Sequence, residues 1–293
     1  MTYASRMYSS AFWGFGLPLF SAITVALVGV LTRRTPDRLA YVSLLNLTVA
    51  MMALPLLPFA PPLTNQAMPF LAASALVHWI YQLNMIRTLS MGDLSLAFPI
   101  MRGLAPLLIA ITGSLLLAEQ QSTLAWIGLL SATIALVAFG FIGRHSRASE
   151  TDPRIFGSAM ATAACVAGYT VIDAEGVRAM NPGEGWGFVT WFFLVGGLPT
   201  ILTGWYLRRQ NTCQAVGASW RPAATAGALS FFSYGSALLA MGMIPIAHVA
   251  AIRETSVVFA AIFGWLLLKE PFGSTRILLA AFIVAGLVTL KLG

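Results

Sequence analysis

Arginine, glutamate and histidine in the middle of apolar runs are the residues of this sequence whose chemistry needs explaining. Arg102 and Arg253 each sit several residues inside a long apolar run, roughly 10–12 Å from its start at helical rise, and Glu254 follows Arg253 directly. A guanidinium is a permanently charged, planar fork of five donors, suited to a bidentate contact with a carboxylate or phosphonate-type group. At depth in hydrocarbon it costs at least ~2.5 kcal/mol on insertion scales, so it must face a cavity or a partner. The functional reading of both arginines is substrate binding or gating. The structural reading is an ion pair that clamps helices, with Glu254 as partner. Successive helical residues point about 100° apart, so Arg253 and Glu254 need not pair with each other. Glu254 is an acid well inside a run. It is either a proton-coupling carboxylate or the counter-charge of Arg102 or Arg253.

His78 lies near the centre of the third apolar run, with Tyr81 and Gln82 at i+3 and i+4 on the same helical face. A buried imidazole among polar neighbours suggests a cavity wall and proton exchange, and the plainer alternative is an interhelical hydrogen bond. Tyr169 and Asp173 are i, i+4 neighbours near the end of the sixth run; Tyr169 joins the candidate cavity residues, and Asp173 reads as interfacial. His248, near the end of a run, reads as interfacial too, and His145 lies in a connection, so no metal site is expected. The two cysteines, Cys165 and Cys213, form no metal spacing or disulfide framework. There is no HExxH, no phosphate-cradling glycine loop and no Ser/His/Asp grouping. No catalytic residue and no cofactor are expected.

The elements that must position these residues follow from composition. Of 293 residues 58% are hydrophobic and 9% charged, and mean hydropathy is +0.81. Soluble domains carry about 25% charged residues. Lipid is the solvent this chain fits. Apolar runs fall near 11–31, 39–59, 67–86, 94–118, 124–143, 156–175, 186–207, 222–242, 246–268 and 274–292. Each can cross a hydrocarbon core of roughly 30 Å, and in lipid the backbone must then be helical. The spacing predicts an all-α membrane protein of ten transmembrane helices. Pro99, Gly103 and Pro106 should bend the fourth helix, and Ala159, Ala163 and Ala167 form a small-residue ladder for close packing on the sixth.

The formal charge of +7 does not point to nucleic acid, because the basic residues lie between apolar runs. Of 17 Lys and Arg, twelve fall in the odd-numbered connections, three on the opposite side, and two are Arg102 and Arg253. The positive-inside rule puts the odd-numbered connections in the cytoplasm and both termini outside. Arg33 and Arg34 after the first run indicate a retained helix rather than a cleaved signal.

The halves repeat. With Arg102 set on Arg253, Gly113 meets Gly264, Leu115-Leu116-Leu117 meets Leu266-Leu267-Leu268, and Glu119 meets Glu270. The repeats are 1–148 and 149–293. Five helices in each invert the second copy, a device by which secondary transporters alternate access.

Three stretches carry a family likeness: Gly92-Asp93-Leu94-Ser95 running on to Phe98-Pro99-Ile100-Met101-Arg102-Gly103-Leu104-Ala105-Pro106, then Tyr169-Thr170-Val171-Ile172-Asp173, and Ala250-Ala251-Ile252-Arg253-Glu254-Thr255-Ser256-Val257. Over essentially its whole length the chain resembles the EamA-type ten-helix proteins of the drug/metabolite transporter superfamily. The resemblance implies a helical transporter of small organic metabolites, often outward, with a cavity to which Arg102, Arg253 and Glu254 contribute. Two features depart from it. Similar members often carry a His-Ala-x-Trp-Asn-like segment in helix one, where this chain has Ala22-Ile23-Thr24-Val25-Ala26. Many also have both termini cytoplasmic, against the charge count here.

These readings converge on a secondary transporter in a bacterial inner membrane, exporting a small polar metabolite, with proton coupling an open possibility. Its partners would be a small-molecule substrate and the lipid bilayer. The alternatives are an accessory membrane protein that binds lipid or a partner, and a lipid-modifying enzyme.

Overall fold

The computed structural model describes residues 3–31, 37–91, 94–142, 153–208 and 212–268, with short pieces at 281–282, 285–286 and 289. Among the described residues every regular element is helical. They are α1 (Tyr3–Leu31), α2 (Arg38–Ala53) with a 3-10 extension (Leu54–Phe59), α3 (Ala67–Ser90), α4 (Leu94–Leu116) and α5 (Thr123–Ile142). There follow α6 (Pro153–Arg178), α7 (Gly185–Val195), α8 (Leu198–Arg208), α9 (Thr212–Met241), α10 (Ile246–Glu254) and α11 (Ser256–Leu268). Among the described residues four stretches are long and apolar enough to cross a membrane: Arg38–Phe59, Arg154–Arg178, Gly185–Arg208 and Ser219–Met241. Large apolar side chains point outward, with Phe59 76% and Leu115 77% exposed, as lipid requires and water would not. The chain is an all-α membrane protein.

The helices differ from the apolar runs where local chemistry intervenes. The second run changes to 3-10 geometry at Leu54, because Pro55 and Pro58 lack the N–H that would continue the α ladder. The seventh divides at Gly196-Gly197, just ahead of Pro199, into α7 and α8. The ninth is interrupted at Thr255, whose N–H bonds back three residues to the Ile252 carbonyl at 3.1 Å. α1 begins at Tyr3 and α9 at Thr212, well before their apolar runs, since backbone hydrogen bonding continues into polar flanks that hydropathy does not register. The tenth run, 274–292, falls largely outside the described residues.

The chain forms two compact units: Met1–Leu83 with Ile172–Ile244, and Asn84–Val171 with Pro245–Gly293. Two of the boundaries fall inside α3 and α6 and the third between α9 and α10, so each unit draws on both halves of the sequence.

In the first unit α9 lies along α1 and α2, and α2 also packs on α7 and α8. Small residues allow the approach. A methyl at Gly197 would come within 2.7 Å of Asn46 Cβ, one at Gly227 within 2.7 Å of Thr48 Cβ, and one at Gly204 would collide with the Ser43 hydroxyl. Ser43 Oγ donates to the Thr200 carbonyl at 3.2 Å. Buried Ser21 and Ser233 join α1 to α9, their hydroxyls 3.2 Å apart.

In the second unit α4 packs on α5 and α10 through a buried cluster of Ala110, Ala125, Leu129, Ala247 and Ala251. Glu119, just after α4, accepts from the Ile246 N–H at 2.9 Å and so caps α10. The end of α3 is tied to α6 by Asn84, which donates to the Ser158 carbonyl at 3.0 Å and to Thr162 Oγ1 at 2.8 Å. Ala159, Ala163 and Ala167 are buried.

Candidate functional site

The strongest polar constellation of the first unit converges on Asp173, in the last two turns of α6 and without solvent exposure. Its Oδ1 accepts from Ser74 Oγ, and its Oδ2 accepts from the Tyr234 hydroxyl and lies 3.1 Å from His78 Nε2. Ser74 and His78 are one turn apart on α3, and Tyr234 belongs to α9, so three helices share one carboxylate. The Tyr234 hydroxyl is 3.4 Å from His78 Nε2. Phe192 of α7 closes over the imidazole with ring centroids 4.8 Å apart, and Tyr81 meets it edge-on at 6.3 Å. One turn beyond His78, Gln82 exchanges amide hydrogen bonds with buried Asn46 of α2, at 2.9 and 3.3 Å.

A second constellation stands in the second unit, where α4 meets the end of α10. Arg102 Nε is 3.2 Å from Glu254 Oε2, and Arg102 Nη2 donates to Ser256 Oγ at 2.5 Å. Glu254 and Ser256 flank the interruption at Thr255. The Arg102 side chain is 26% exposed and that of Glu254 10%, so the guanidinium is the more accessible partner. Arg253 is half-buried on α10, next to Glu254.

The sequence candidates thus divide between the units: His78, Tyr81 and Gln82 in the first, Arg102, Arg253, Glu254 and Tyr169 in the second. Tyr169 is buried one turn before Asp173 on α6, on the far side of the unit boundary. The reading of Asp173 as interfacial is corrected: a side chain with no exposure and three polar partners is an interior anchor.

A model of the EamA-like transporter family matches residues 155–292. The match spans the second half of the chain. The family likeness read from the motifs is met here by an independent match. A solved crystal structure, 17% identical, covers 97% of this chain and 97% of its own with a TM-score of 0.73, a likeness that shows the fold alone. No curated protein matches the chain.

Within the EamA-like half lie Asp173, Tyr234, Arg253, Glu254 and Ser256, so both constellations draw on it. Reading along the sequence missed Ser74, Tyr234 and Ser256, and undervalued Asp173. Ser74 had a legible signal, since it lies four residues before His78 on the face that continues to Gln82. Tyr234 had none, because its partner is 61 residues away.

Proposed function

We propose that the protein is a secondary transporter that exports a small polar organic metabolite bearing an acidic group. The observation that carries this reading is the Arg102–Glu254–Ser256 contact at the interruption of the ninth apolar run. Membrane transporters place substrate sites where helices are discontinuous and free polar groups gather. A permanently charged arginine held by a glutamate and a hydroxyl is a replaceable contact. A substrate carboxylate can take the guanidinium donors from Glu254 and Ser256 without leaving the cation unpaired. The family match supports transport as the activity, and the reading is non-enzymatic.

The cycle in this reading is alternating access between the inverted repeats 1–148 and 149–293, supported by the Arg, Gly and Glu that align at their common offset. The protein sits in a bacterial inner membrane with odd-numbered connections cytoplasmic and both termini outside, supported by the distribution of Lys and Arg. Its partners are the small-molecule substrate and the bilayer, and nucleic acid is not among them.

Untargeted mass spectrometry of medium and cell extract tests the reading in deletion, overexpressing and Arg253→Ala strains. A metabolite that accumulates in the medium with wild-type protein, and not with Arg253→Ala at equal membrane abundance, is the expected result. Movement into cells would reverse the direction. No wild-type movement across growth conditions would sink transport in favour of an accessory role.

A further inference from the structure

We infer that the Asp173–His78–Tyr234–Ser74 cluster of the first unit is a proton-binding site, and that the proton it binds is the coupling ion of the cycle. The second half of this statement rests on the transport reading above; the first does not.

The argument is one of charge inside an apolar shell. Asp173 has no exposure, and its ion-pair partner among the described residues is His78, at 3.1 Å. Hydrogen bonds from Ser74 and Tyr234 satisfy the carboxylate's lone pairs but bring no charge. A buried carboxylate without a cation is costly. Imidazole is the side chain that changes charge between pH 5 and 8. With His78 protonated the cluster is neutral; with His78 neutral it carries one negative charge. The two states differ by one proton, taken from water at one membrane face and returned to water at the other.

The other buried acid, Glu254, is paired with Arg102, a guanidinium that keeps its charge at any physiological pH. In the His78–Asp173 pair the cationic partner is an imidazole rather than a guanidinium. The residues that answer to the proton also lie on three helices: His78 on α3, Asp173 on α6 and Tyr234 on α9. Loss of the proton removes the charge that holds α3 to α6, which is how occupancy becomes a bias on helix packing.

The surroundings suit the role. Among the described residues, titratable groups facing His78 include Asp173 from α6, Tyr234 from α9 and Tyr81 from its own helix, while α7 contributes the apolar ring of Phe192. Farther along α6, Glu175 and Arg178 pair with each other at 3.6 Å. The His78 side chain keeps 9% exposure and that of Asp173 none, so the imidazole is the port for the proton.

Proton uptake by the purified full chain in detergent tests the site without any substrate. A lightly buffered sample is stepped from pH 8 to pH 5, and the protons bound per chain are counted. The chain has three histidines, and a difference from wild type removes His145 and His248 from the count. His78→Gln should bind about one proton fewer per chain, and Asp173→Asn should also bind fewer, having lost the counter-charge. Unchanged uptake in monodisperse His78→Gln overturns the site. If that variant aggregates, ring-labelled histidine resonances are followed in wild type and in Tyr234→Phe, which keeps the ring and removes only the hydroxyl. One resonance should respond to pH across this range and differ between the two proteins, because the Tyr234 hydroxyl lies 3.4 Å from His78 Nε2; the same three responses in both overturn the site.

Coupling is read separately, in proteoliposomes loaded with whichever metabolite the wild type moves. Flux should depend on an imposed pH gradient in wild type. Flux indifferent to the gradient overturns the coupling half. A wild-type chain that moves nothing overturns the transport reading, and the proton count is unaffected by that result.

Discussion

A guanidinium and a carboxylate buried together are worth more as a constraint than as a source of stability. Arg102 and Glu254 are 3.2 Å apart, with side chains 26% and 10% exposed. Removing one partner strands the other in an apolar site. Arg102→Leu should therefore cost about 3 kcal/mol, and Arg102→Leu combined with Glu254→Gln should recover most of it. Unfolding of the purified variants in detergent provides the comparison; a double variant no better than the single would mean that Arg102 contributes through packing. Of these residues the sequence disclosed type and depth, because a charge inside an apolar run is visible without coordinates. It left open which arginine Glu254 neutralises, since Arg102 and Glu254 are 152 positions apart in sequence. Asp173 shows the same limit more sharply. Its position near the end of an apolar run gave an interfacial reading, and only the convergence of α3 and α9 on α6 made it interior.

Between elements, close approach decides the packing. Gly204→Ala would drive a methyl into the Ser43 hydroxyl where α8 lies on α2, and should cost about 1–3 kcal/mol of overpacking. Gly157→Ala, whose methyl meets nothing within 4 Å, is the matched control and should leave the thermal midpoint in place. Equal behaviour of the two would contradict the packing of α2 on α8. The start of α2 is set by Asp37, which accepts from the N–H groups of Leu39 and Ala40, both at 3.1 Å, and from Arg208 Nε at 2.6 Å. Burial raises the carboxyl, but hydrogen bonds from Arg208, Ala40 and Leu39 and the arginine charge outweigh it, and the group is held below its ordinary 3.8. A depressed acid stabilises the fold at pH above its unfolded value and loses that contribution as pH falls through the folded one. The gain from Asp37 should therefore be intact above pH 4 and decline below 3.8. Asp37→Asn keeps the cap and removes the charge, so its stability should lose this acid-dependent component. The effect should be small and weaken with salt, because the Arg208 side chain is 41% exposed. Capping of this kind was not legible in the charge pattern, which marked Arg208 as a topology signal.

For the whole molecule, each compact unit is assembled from both halves of the sequence. Residues 1–148 hold only the leading segment of the first unit, and 149–293 supply the rest. Either half expressed alone should be degraded, whereas co-expression of the two should restore membrane abundance, as immunoblots of membrane fractions can establish. Stable accumulation of 1–148 alone would mean that the half folds without its complement. The charge distribution carries a second expectation at this scale, that the connection 144–155 faces the cytoplasm. A chain free of native cysteine and carrying Ser146→Cys should resist an impermeant thiol reagent applied from outside and react once the membrane is opened. Labelling of intact cells would invert the topology.

Solvent and secondary structure were settled by sequence alone, because both follow from sums over neighbouring residues. Apolar runs of span length with 9% charge leave lipid as the medium, and lipid leaves helix as the backbone. Charge depth and the internal repeat are likewise linear properties. What the tertiary structure decided was partnership: that Asp173 of α6 is gripped from two other helices, that Glu254 faces Arg102, that Glu119 caps α10. Those contacts depend on which helix faces lie together, and in a chain apolar on nearly every face hydropathy does not encode that choice. Small residues and paired polar groups do, and their partners become visible only once the helices are packed.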